Sequence, residues 1–324
     1  MKFGVEFVPN VKPYEVEYLS QVAEDSGFES VWVTDHYNNR NAYSILTLIA
    51  LRTKRVSLGV GVANPFTVHP AVTASAMATV NEISGGRAIL GIAAGDKMTL
   101  QRLGIDWDRP LTRVKEAVEL IRELISGKRV DYSGKTLSVK SAGLDYPVKP
   151  YPIYIGAQGP KMLKLASEIG DGVLINASHP KDFREAFRCF GELRKDFDVV
   201  AYTSMSVDKS GEKAREEAKI VVAFIVAGSP EPVLERHGLA EKAGEVRDAL
   251  SRAFAGGSWA DVKRAVNEDM IDAFSVSGTP EEVISRVEEL RKAGVTHVVA
   301  GSPIGTDKAK AIRLIGKKVI SAFS

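Results

Sequence analysis

The sequence has little of what metal and disulfide chemistry requires. Its 324 residues include one cysteine, Cys189, and five histidines, none of which forms a His-x-His or His-x-x-x-His pair. A single cysteine excludes an intrachain disulfide and a cysteine cluster for zinc or iron–sulfur. Scattered histidines argue against a transition metal held by the protein. We therefore expect no metal, and chemistry that is carried by acid–base groups or by an organic cofactor.

Long apolar runs and an excess of charge of one sign are also lacking. No apolar run reaches the roughly 18 residues that a membrane span needs. An acid as early as Glu6 argues against a signal peptide. Lys and Arg number 43 against 41 Asp and Glu, a net charge of +2, whereas nucleic-acid binding requires a basic face. The sequence thus predicts a cytoplasmic protein that binds neither a nucleic acid nor a membrane.

What the sequence does contain is a regular alternation of apolar strands and amphipathic helices. The predicted strands cover residues 3–8, 30–34, 56–62, 87–92, 153–155, 172–175, 199–207 and 296–300. Strand–helix pairs in succession predict parallel strands with right-handed crossovers. Eight of them fit an α/β fold of the (β/α)8 TIM-barrel type, and a doubly wound sheet of two halves is the alternative.

Two stretches interrupt this alternation. Residues 128–149 resemble a surface hairpin, and residues 213–267 are helical in pattern without a clear strand. They predict insertions after the fourth and the seventh barrel strand. Because no long linker or low-complexity tract divides the chain, we expect a single barrel domain over residues 1–324.

In such a barrel the functional site lies at the C-terminal ends of the strands. Glu6 interrupts an otherwise apolar first strand, while Asp35-His36 follows the second strand and Asp96 follows the fourth. A glutamate pointing into the barrel would be a desolvated carboxyl with a raised pKa, suited to acid–base work. A glutamate paired with a surface cation is the plainer interpretation, and a structural Asp-His pair is equally common.

Two glycine-containing strand ends predict close approach of the backbone to a ligand. The run Gly156-Ala157-Gln158-Gly159-Pro160-Lys161 enters a helix directly after a strand, where free N–H groups and a lysine favour an anion, although Gly-Pro also simply starts helices. Gly61-Val62 ends the third strand, and a strained peptide there would press on a planar ring, unless Gly61 is an ordinary loop glycine. Cys189 lies among apolar residues and is expected to be inert.

Several of these segments together resemble a known family. They are 3–10, 34–39, 156–160, 174–178, 219–225, 227–230 and 299–305. In this order they are similar to the methylenetetrahydromethanopterin reductases, luciferase-like (β/α)8 barrels that use the deazaflavin coenzyme F420. The resemblance runs over the whole chain. It implies hydride transfer from reduced F420 to a tetrahydromethanopterin-type substrate, and a homodimer or homotetramer.

The resemblance also implies roles for residues. Asp35, His36, Asn176 and Ala177 would lie at the deazaflavin head, although the role of His36 stays open. The Gly61–Val62 peptide would be cis and back the ring, and the turn with Gly156, Ala157, Gln158, Gly159 and Lys161 would hold the cofactor's acidic groups.

Opening of the substrate's bridge needs a proton donor, for which Glu6 is the first candidate and Asp96 the second. The absence of Trp after Asp35-His36 weakens the alternative of alcohol oxidation that related deazaflavin enzymes suggest. A flavin-dependent luciferase-like monooxygenase and a non-catalytic barrel that binds a flavin or deazaflavin remain alternatives.

Overall fold

The computed structural model describes residues 1–323, and the helices and strands follow the predicted alternation. The strands are β1 (Lys2–Phe7), β2 (Ser30–Val33), β3 (Ser57–Ala63), β4 (Ala88–Ile92), β5 (Val130–Ser133), β6 (Ser138–Ala142), β7 (Ile153–Gly156), β8 (Gly172–Ile175), β9 (Asp198–Val207), β10 (Val276–Gly278) and β11 (His297–Ile304). The first helices are α1 (Pro13–Asp25), α2 (Ala42–Arg52), α3 (Pro70–Ile83), α4 (Lys97–Arg102), α5 (Pro110–Ile125), α6 (Pro160–Ile169) and α7 (Pro180–Cys189). The others are α8 (Gly211–Gly228), α9 (Glu231–Arg236), α10 (Ala243–Phe254), α11 (Trp259–Ala265), α12 (Glu268–Phe274), α13 (Pro280–Lys292) and α14 (Lys308–Leu314).

Eight of the strands form a closed parallel barrel. Their order is β9-β11-β1-β2-β3-β4-β7-β8, and pairing of β8 with β9 closes the ring. The strands are almost wholly buried because helices cover the outer face and side chains fill the interior. The predicted TIM barrel is confirmed, and the doubly wound alternative is wrong.

Both predicted insertions are present. Between α5 and β7, the antiparallel pair β5–β6 forms a hairpin. Its turn is held by Glu116, whose carboxylate accepts backbone N–H groups of Lys135, Thr136 and Leu137. Between β9 and β10, helices α8 to α12 enclose an apolar cluster of their own. Helix α8 of this second insertion lies at the end of the barrel where the strands terminate.

The structure departs from the predicted elements in a few places. The short strand β10 pairs with the end of β9 and is too brief to show a periodic pattern. Helix α4 was not predicted; it begins where Asp96 accepts the N–H of Thr99 at 2.7 Å. Helix α7 ends at Cys189, and two residues further on the Gly191 N–H donates to Ser167 Oγ at 3.0 Å.

Aromatic side chains fill the middle of the barrel beneath the strand ends. The fully buried Trp32 lies 6.0 Å from Tyr154 and 6.1 Å from Tyr202, measured between ring centroids. At the N-terminal end of the barrel Asp198 accepts hydrogen bonds from Lys2 at 2.8 Å and from Tyr154 at 2.5 Å. This layer forms the floor on which the candidate site rests. Within residues 1–323, none of the helices is long and apolar enough to span a bilayer.

Candidate active site

A cavity of about 910 Å³ opens at the C-terminal ends of the barrel strands. Its lining is mostly apolar, and helices outside the barrel form its upper walls. Val221 and Ile225 of α8 contribute to one wall, with Pro230 before α9, and Trp107 and Leu111 contribute to another. Large apolar clefts with a few polar groups are the usual form of ligand sites, so this cavity is the candidate active site.

Glu6 lies at the base of the cavity, with 5% of the residue exposed. It is the last residue but one of β1, and its side chain points into the barrel. The Thr34 hydroxyl donates to Oε1, and the Ser302 backbone N–H donates to Oε2 at 3.2 Å. Burial raises the pKa of Glu6, and these hydrogen bonds only partly oppose the rise. Glu6 therefore keeps its proton to higher pH than an ordinary glutamate, as a general acid requires.

The third barrel strand ends in an irregular segment on the cavity wall. The Gly61–Val62 peptide is cis, as predicted, and the pairing with β4 shifts register between Val60 and Ala63. Both Gly61 and Val62 line the cavity. A Cβ on Gly61 would lie 2.6 Å from the Tyr202 hydroxyl oxygen. Only glycine therefore lets the backbone lie against Tyr202 without displacing it.

The predicted anion-binding turn lies at the rim of the same cavity. Its residues Gly156, Ala157, Gln158, Gly159 and Lys161 all line the cavity, together with Asn176 at the end of β8. Gly159 is the N-cap residue of α6 and provides no side-chain cap. Met162 and Leu163 donate their N–H groups to the Gly159 carbonyl, so in the first turn the N–H of Lys161 is left for a ligand. The Gln158 amide donates to the Asn176 carbonyl at 3.2 Å and joins the two strand ends.

Four other predicted residues lie outside the cavity lining: Asp35, His36, Asp96 and Ala177. Asp35 is half-buried, and burial raises its pKa against the opposing influence of His36. The His36 Nδ1 lies 2.5 Å from Asn38 Oδ1, and Nε2 lies 3.4 Å from Thr99 Oγ1. The structure thus brings His36 close to Asp96 through Thr99, at the edge of the cavity.

Asp96 has an environment opposite to that of Glu6. It is exposed, and its side chain caps α4. Partial burial acts to raise the pKa of Asp96, but the hydroxyl and N–H of Thr99 outweigh it and lower the pKa. A carboxyl that loses its proton so readily is a poor general acid at neutral pH. Of the two predicted candidates, the geometry favours Glu6.

Thr34, Tyr202 and Ser302 line the cavity around Glu6, and the sequence assigned them no role. Thr34 and Ser302 stand at predicted strand ends, which is the one signal that points to them. Tyr202 lies in the middle of a predicted apolar strand, where a tyrosine is an ordinary core residue. Within residues 1–323, no group of three or more His, Cys, Asp or Glu side chains could hold a metal ion.

Comparison with known proteins shows which class of protein has this fold and this site. The family model described as luciferase-like monooxygenase matches residues 3–297, so the chain belongs to that family. A protein of Archaeoglobus fulgidus called 5,10-methylenetetrahydromethanopterin reductase is 60% identical, over 99% of both chains. A protein of Methanolobus tindarius with the same name is 47% identical, over 99% of this chain and 100% of its own. Within the luciferase-like barrels, the chain belongs to the 5,10-methylenetetrahydromethanopterin reductases.

A solved structure supports this placement. The coenzyme F420-dependent tetrahydromethanopterin reductase of Methanopyrus kandleri superposes with a TM-score of 0.92 at 45% identity. The match covers 100% of this chain and 99% of that one. The whole barrel and both insertions are therefore common to the two proteins.

Proposed function

We propose that this protein is an oxidoreductase that transfers a hydride from reduced coenzyme F420 to 5,10-methylenetetrahydromethanopterin, reversibly, giving 5-methyltetrahydromethanopterin. One observation of the structure carries this conclusion. Glu6, a carboxyl whose pKa is raised by burial, lies at the base of the large apolar cavity, in a chain 60% identical to a protein with that name. The site thus offers a buried proton donor at the base of a cavity of about 910 Å³.

The residues around the cavity fit a deazaflavin cofactor. The apolar wall with Val62 and Leu174 suits a planar ring, and Gly61 leaves the backbone bare beside it. The uncapped start of α6 and Lys161 suit an acidic or phosphate group. We propose that these residues hold coenzyme F420, with Asn176, Ala177, Asp35 and His36 near its head. When bound, the reduced cofactor supplies the hydride.

The role of Glu6 follows from what the substrate must undergo. The five-membered bridge of the substrate opens when its departing nitrogen receives a proton, which leaves an iminium carbon able to accept hydride. We propose that protonated Glu6 donates this proton. The carboxylate that remains is held by the Thr34 hydroxyl and the Ser302 N–H, which are hydrogen bonds to a charged acceptor.

We also propose that residues 1–324 form one domain, that the protein is cytoplasmic and that it assembles as a homodimer or homotetramer. Helices α1 to α3 support the assembly, since each carries exposed apolar side chains, among them Tyr14, Leu51 and Val72. Such a group of apolar side chains is typical of an interaction surface. Light scattering coupled to size exclusion measures the mass directly, and a monomer at assay concentration would contradict the assembly.

An anaerobic absorbance assay tests the proposed function. Reduced F420 is mixed with the protein, and we expect oxidised F420 to form only after 5,10-methylenetetrahydromethanopterin is added. The cofactor's binding is measured separately by titration. Binding of F420 without its oxidation would overturn the proposed reaction and support a non-catalytic barrel. Oxygen uptake with reduced flavin would instead support a luciferase-like monooxygenase.

A further inference from the structure

Tyr202 carries a buried polar atom that the proposed reaction has not used. Its hydroxyl is shielded from solvent and makes no hydrogen bond of ordinary geometry to any residue in 1–323. Three other buried side-chain atoms share this state, in Tyr43, Ser206 and His297, but none of these residues lines the cavity. An unpaired buried hydroxyl is destabilising, so its presence calls for an explanation.

Packing does not explain this hydroxyl. The Tyr202 ring contacts Trp32 edge-on, at 6.1 Å between centroids, and a phenylalanine ring would make that contact equally well. The oxygen also limits the backbone beside it, because a Cβ on Gly61 would lie 2.6 Å from it. The site therefore holds the oxygen in a confined position where it contributes nothing to the apolar core.

The nearest polar groups connect this hydroxyl with Glu6. Thr34 and Glu6 line the cavity together with Tyr202, and both act on the pKa of its hydroxyl: Thr34 lowers it and the charge of Glu6 raises it. Thr34 gives its single hydroxyl proton to Glu6 Oε1, which leaves its oxygen lone pairs free to accept. Tyr202 can therefore donate to Thr34 while Thr34 donates to Glu6, which makes a chain of three oxygen groups.

We propose that Tyr202 is a positioning residue for proton transfer, whose hydroxyl closes a hydrogen bond to Thr34 as Glu6 becomes a carboxylate. The inference rests on the proposed function. The proton that leaves Glu6 goes to the substrate nitrogen, and Tyr202 keeps its own proton throughout. Negative charge on Glu6 polarises Thr34 and makes it a better acceptor, so the bond strengthens when charge develops. Tyr202 thereby steadies the carboxylate through Thr34.

Burial and the charges around Tyr202 favour the protonated, neutral form of its hydroxyl. Burial, together with the charge of Glu6, raises the pKa of Tyr202 well above its usual value, although Thr34 opposes this. The charge of Lys308, the first residue of α14, acts to lower the pKa of Glu6. The hydrogen bonds from Thr34 and Ser302 act in the same direction. Tyr202 thus adds a neutral donor to the groups that stabilise the charged form of Glu6.

The variant Y202F tests the proposal because it removes the oxygen and keeps the ring. We expect kcat to fall about 3- to 10-fold, the effect of one hydrogen bond made in the transition state. The Kd for F420 should stay unchanged. Activity requires Glu6 in its protonated form. In Y202F the Glu6 carboxylate loses a stabilising group, which raises the pKa of Glu6. The alkaline limb of the kcat–pH profile should therefore move to higher pH, which a merely structural role would not cause.

Two further variants sharpen the test. T34V interrupts the chain at its middle, so adding Y202F to T34V should cost little more than T34V alone. Y154F is the matched control: Tyr154 also contacts Trp32, but its hydroxyl binds Asp198 at 2.5 Å at the other end of the barrel. Y154F should lower thermal stability and leave kcat and its pH profile unchanged.

The outcomes separate the proposal from the function on which it rests. A Y202F enzyme with wild-type kcat and pH profile overturns the role of Tyr202, as do effects of T34V and Y202F that multiply independently. A folded wild-type protein that binds F420 but does not oxidise it with the pterin substrate overturns the proposed function instead. A shifted pH limb in Y202F but not in Y154F supports the proposal.

Discussion

Replacing Glu6 with glutamine tests the acid at the centre of the proposed reaction. The amide has nearly the same shape, and its carbonyl can accept the Ser302 N–H while its NH2 group donates to the Thr34 oxygen. Both partners of the buried side chain thus remain satisfied, and the fold should be retained. What the variant lacks is the proton that opens the substrate's bridge.

The size of the effect follows from what a positioned acid contributes. General acid catalysis gives about 10²- to 10⁴-fold, and each factor of ten corresponds to about 1.4 kcal/mol of barrier. Because Glu6 is buried and the chain places Asp96 at the exposed rim, water and Asp96 are poorly placed to replace it. We expect E6Q to lower kcat by about 10³-fold or more with an unchanged Kd for F420.

The anaerobic F420 assay measures this, with substrate concentration varied so that kcat and KM are separated. E6D is the matched comparison, since it keeps an acid but withdraws it by one methylene, and it should retain more activity than E6Q. Turnover of E6Q within about threefold of the wild type would refute the assignment of Glu6. Loss of F420 binding in E6Q would show that Glu6 serves the cofactor rather than the proton transfer.

The same variant has a pH signature in thermal stability. The pKa of Glu6 is raised in the folded state above its ordinary 4.5, mainly by burial. The contribution of Glu6 to the stability of the wild type is therefore fully present below pH 4.5, and it is lost as the pH rises through the folded pKa. E6Q lacks this titration, so its melting temperature should increase relative to that of the wild type as the pH rises. A difference that stays constant from pH 4.5 to 9 would contradict the raised pKa.

Three further variants test other parts of the structure. K161A should weaken F420 binding about 2- to 5-fold at low salt, as an exposed charge does, with the difference shrinking in titrations at 1 M salt. G61A should lower stability by about 1–3 kcal/mol, because its Cβ meets the Tyr202 oxygen, and Y202F in the same chain should restore part of the loss in denaturant melts. D182A should cost about 3–5 kcal/mol at neutral pH, because the buried carboxylate pairs with His237 at 3.0 Å and with a neighbouring arginine. Burial opposes the charged form of Asp182, but those partners lower its pKa, so this contribution is lost as pH falls through the folded pKa.

Matched controls accompany these variants. K164A removes a charge one turn along α6 that does not line the cavity, and it should leave F420 binding unchanged. G244A places a Cβ in α10 where nothing lies within 4 Å, and it should not destabilise the protein. Equal effects of K161A and K164A would contradict a local role of Lys161. A D182A penalty that is the same at pH 7 and pH 3 would contradict the ion pair with Arg236.

Much of the fold was predictable because it depends on local patterns. Apolar runs and helical spacing report which backbone segments are buried, and parallel strands joined by helices close into a barrel in few ways. Helix α5, with its strong 3.6-residue spacing, and strand β8, whose bounds were predicted as they stand, show this. Elements held by single contacts were missed, such as α4, which depends on the Asp96 cap.

The candidate site likewise has features that the sequence predicted and features that it did not. Position after a strand was enough to bring Gly156, Gln158, Lys161 and Asn176 to one rim, as the structure shows. The same rule placed Asp96 beside them as an acid, yet its pKa is lowered by a cap that only the folded loop creates. Proximity in the barrel is therefore predictable from the chain, whereas the protonation state is not.

By itself, the sequence determined the barrel, its two insertions, the end at which the site lies and the absence of cysteine and histidine clusters for a metal. The tertiary structure alone decided which carboxyl is buried, that α8 covers the cavity and that Tyr202 stands beside Thr34 and Glu6. The physical reason is the range of the interactions. Backbone hydrogen bonding and burial leave a periodic trace along the chain, but desolvation and side-chain hydrogen bonds depend on groups that distant segments bring together.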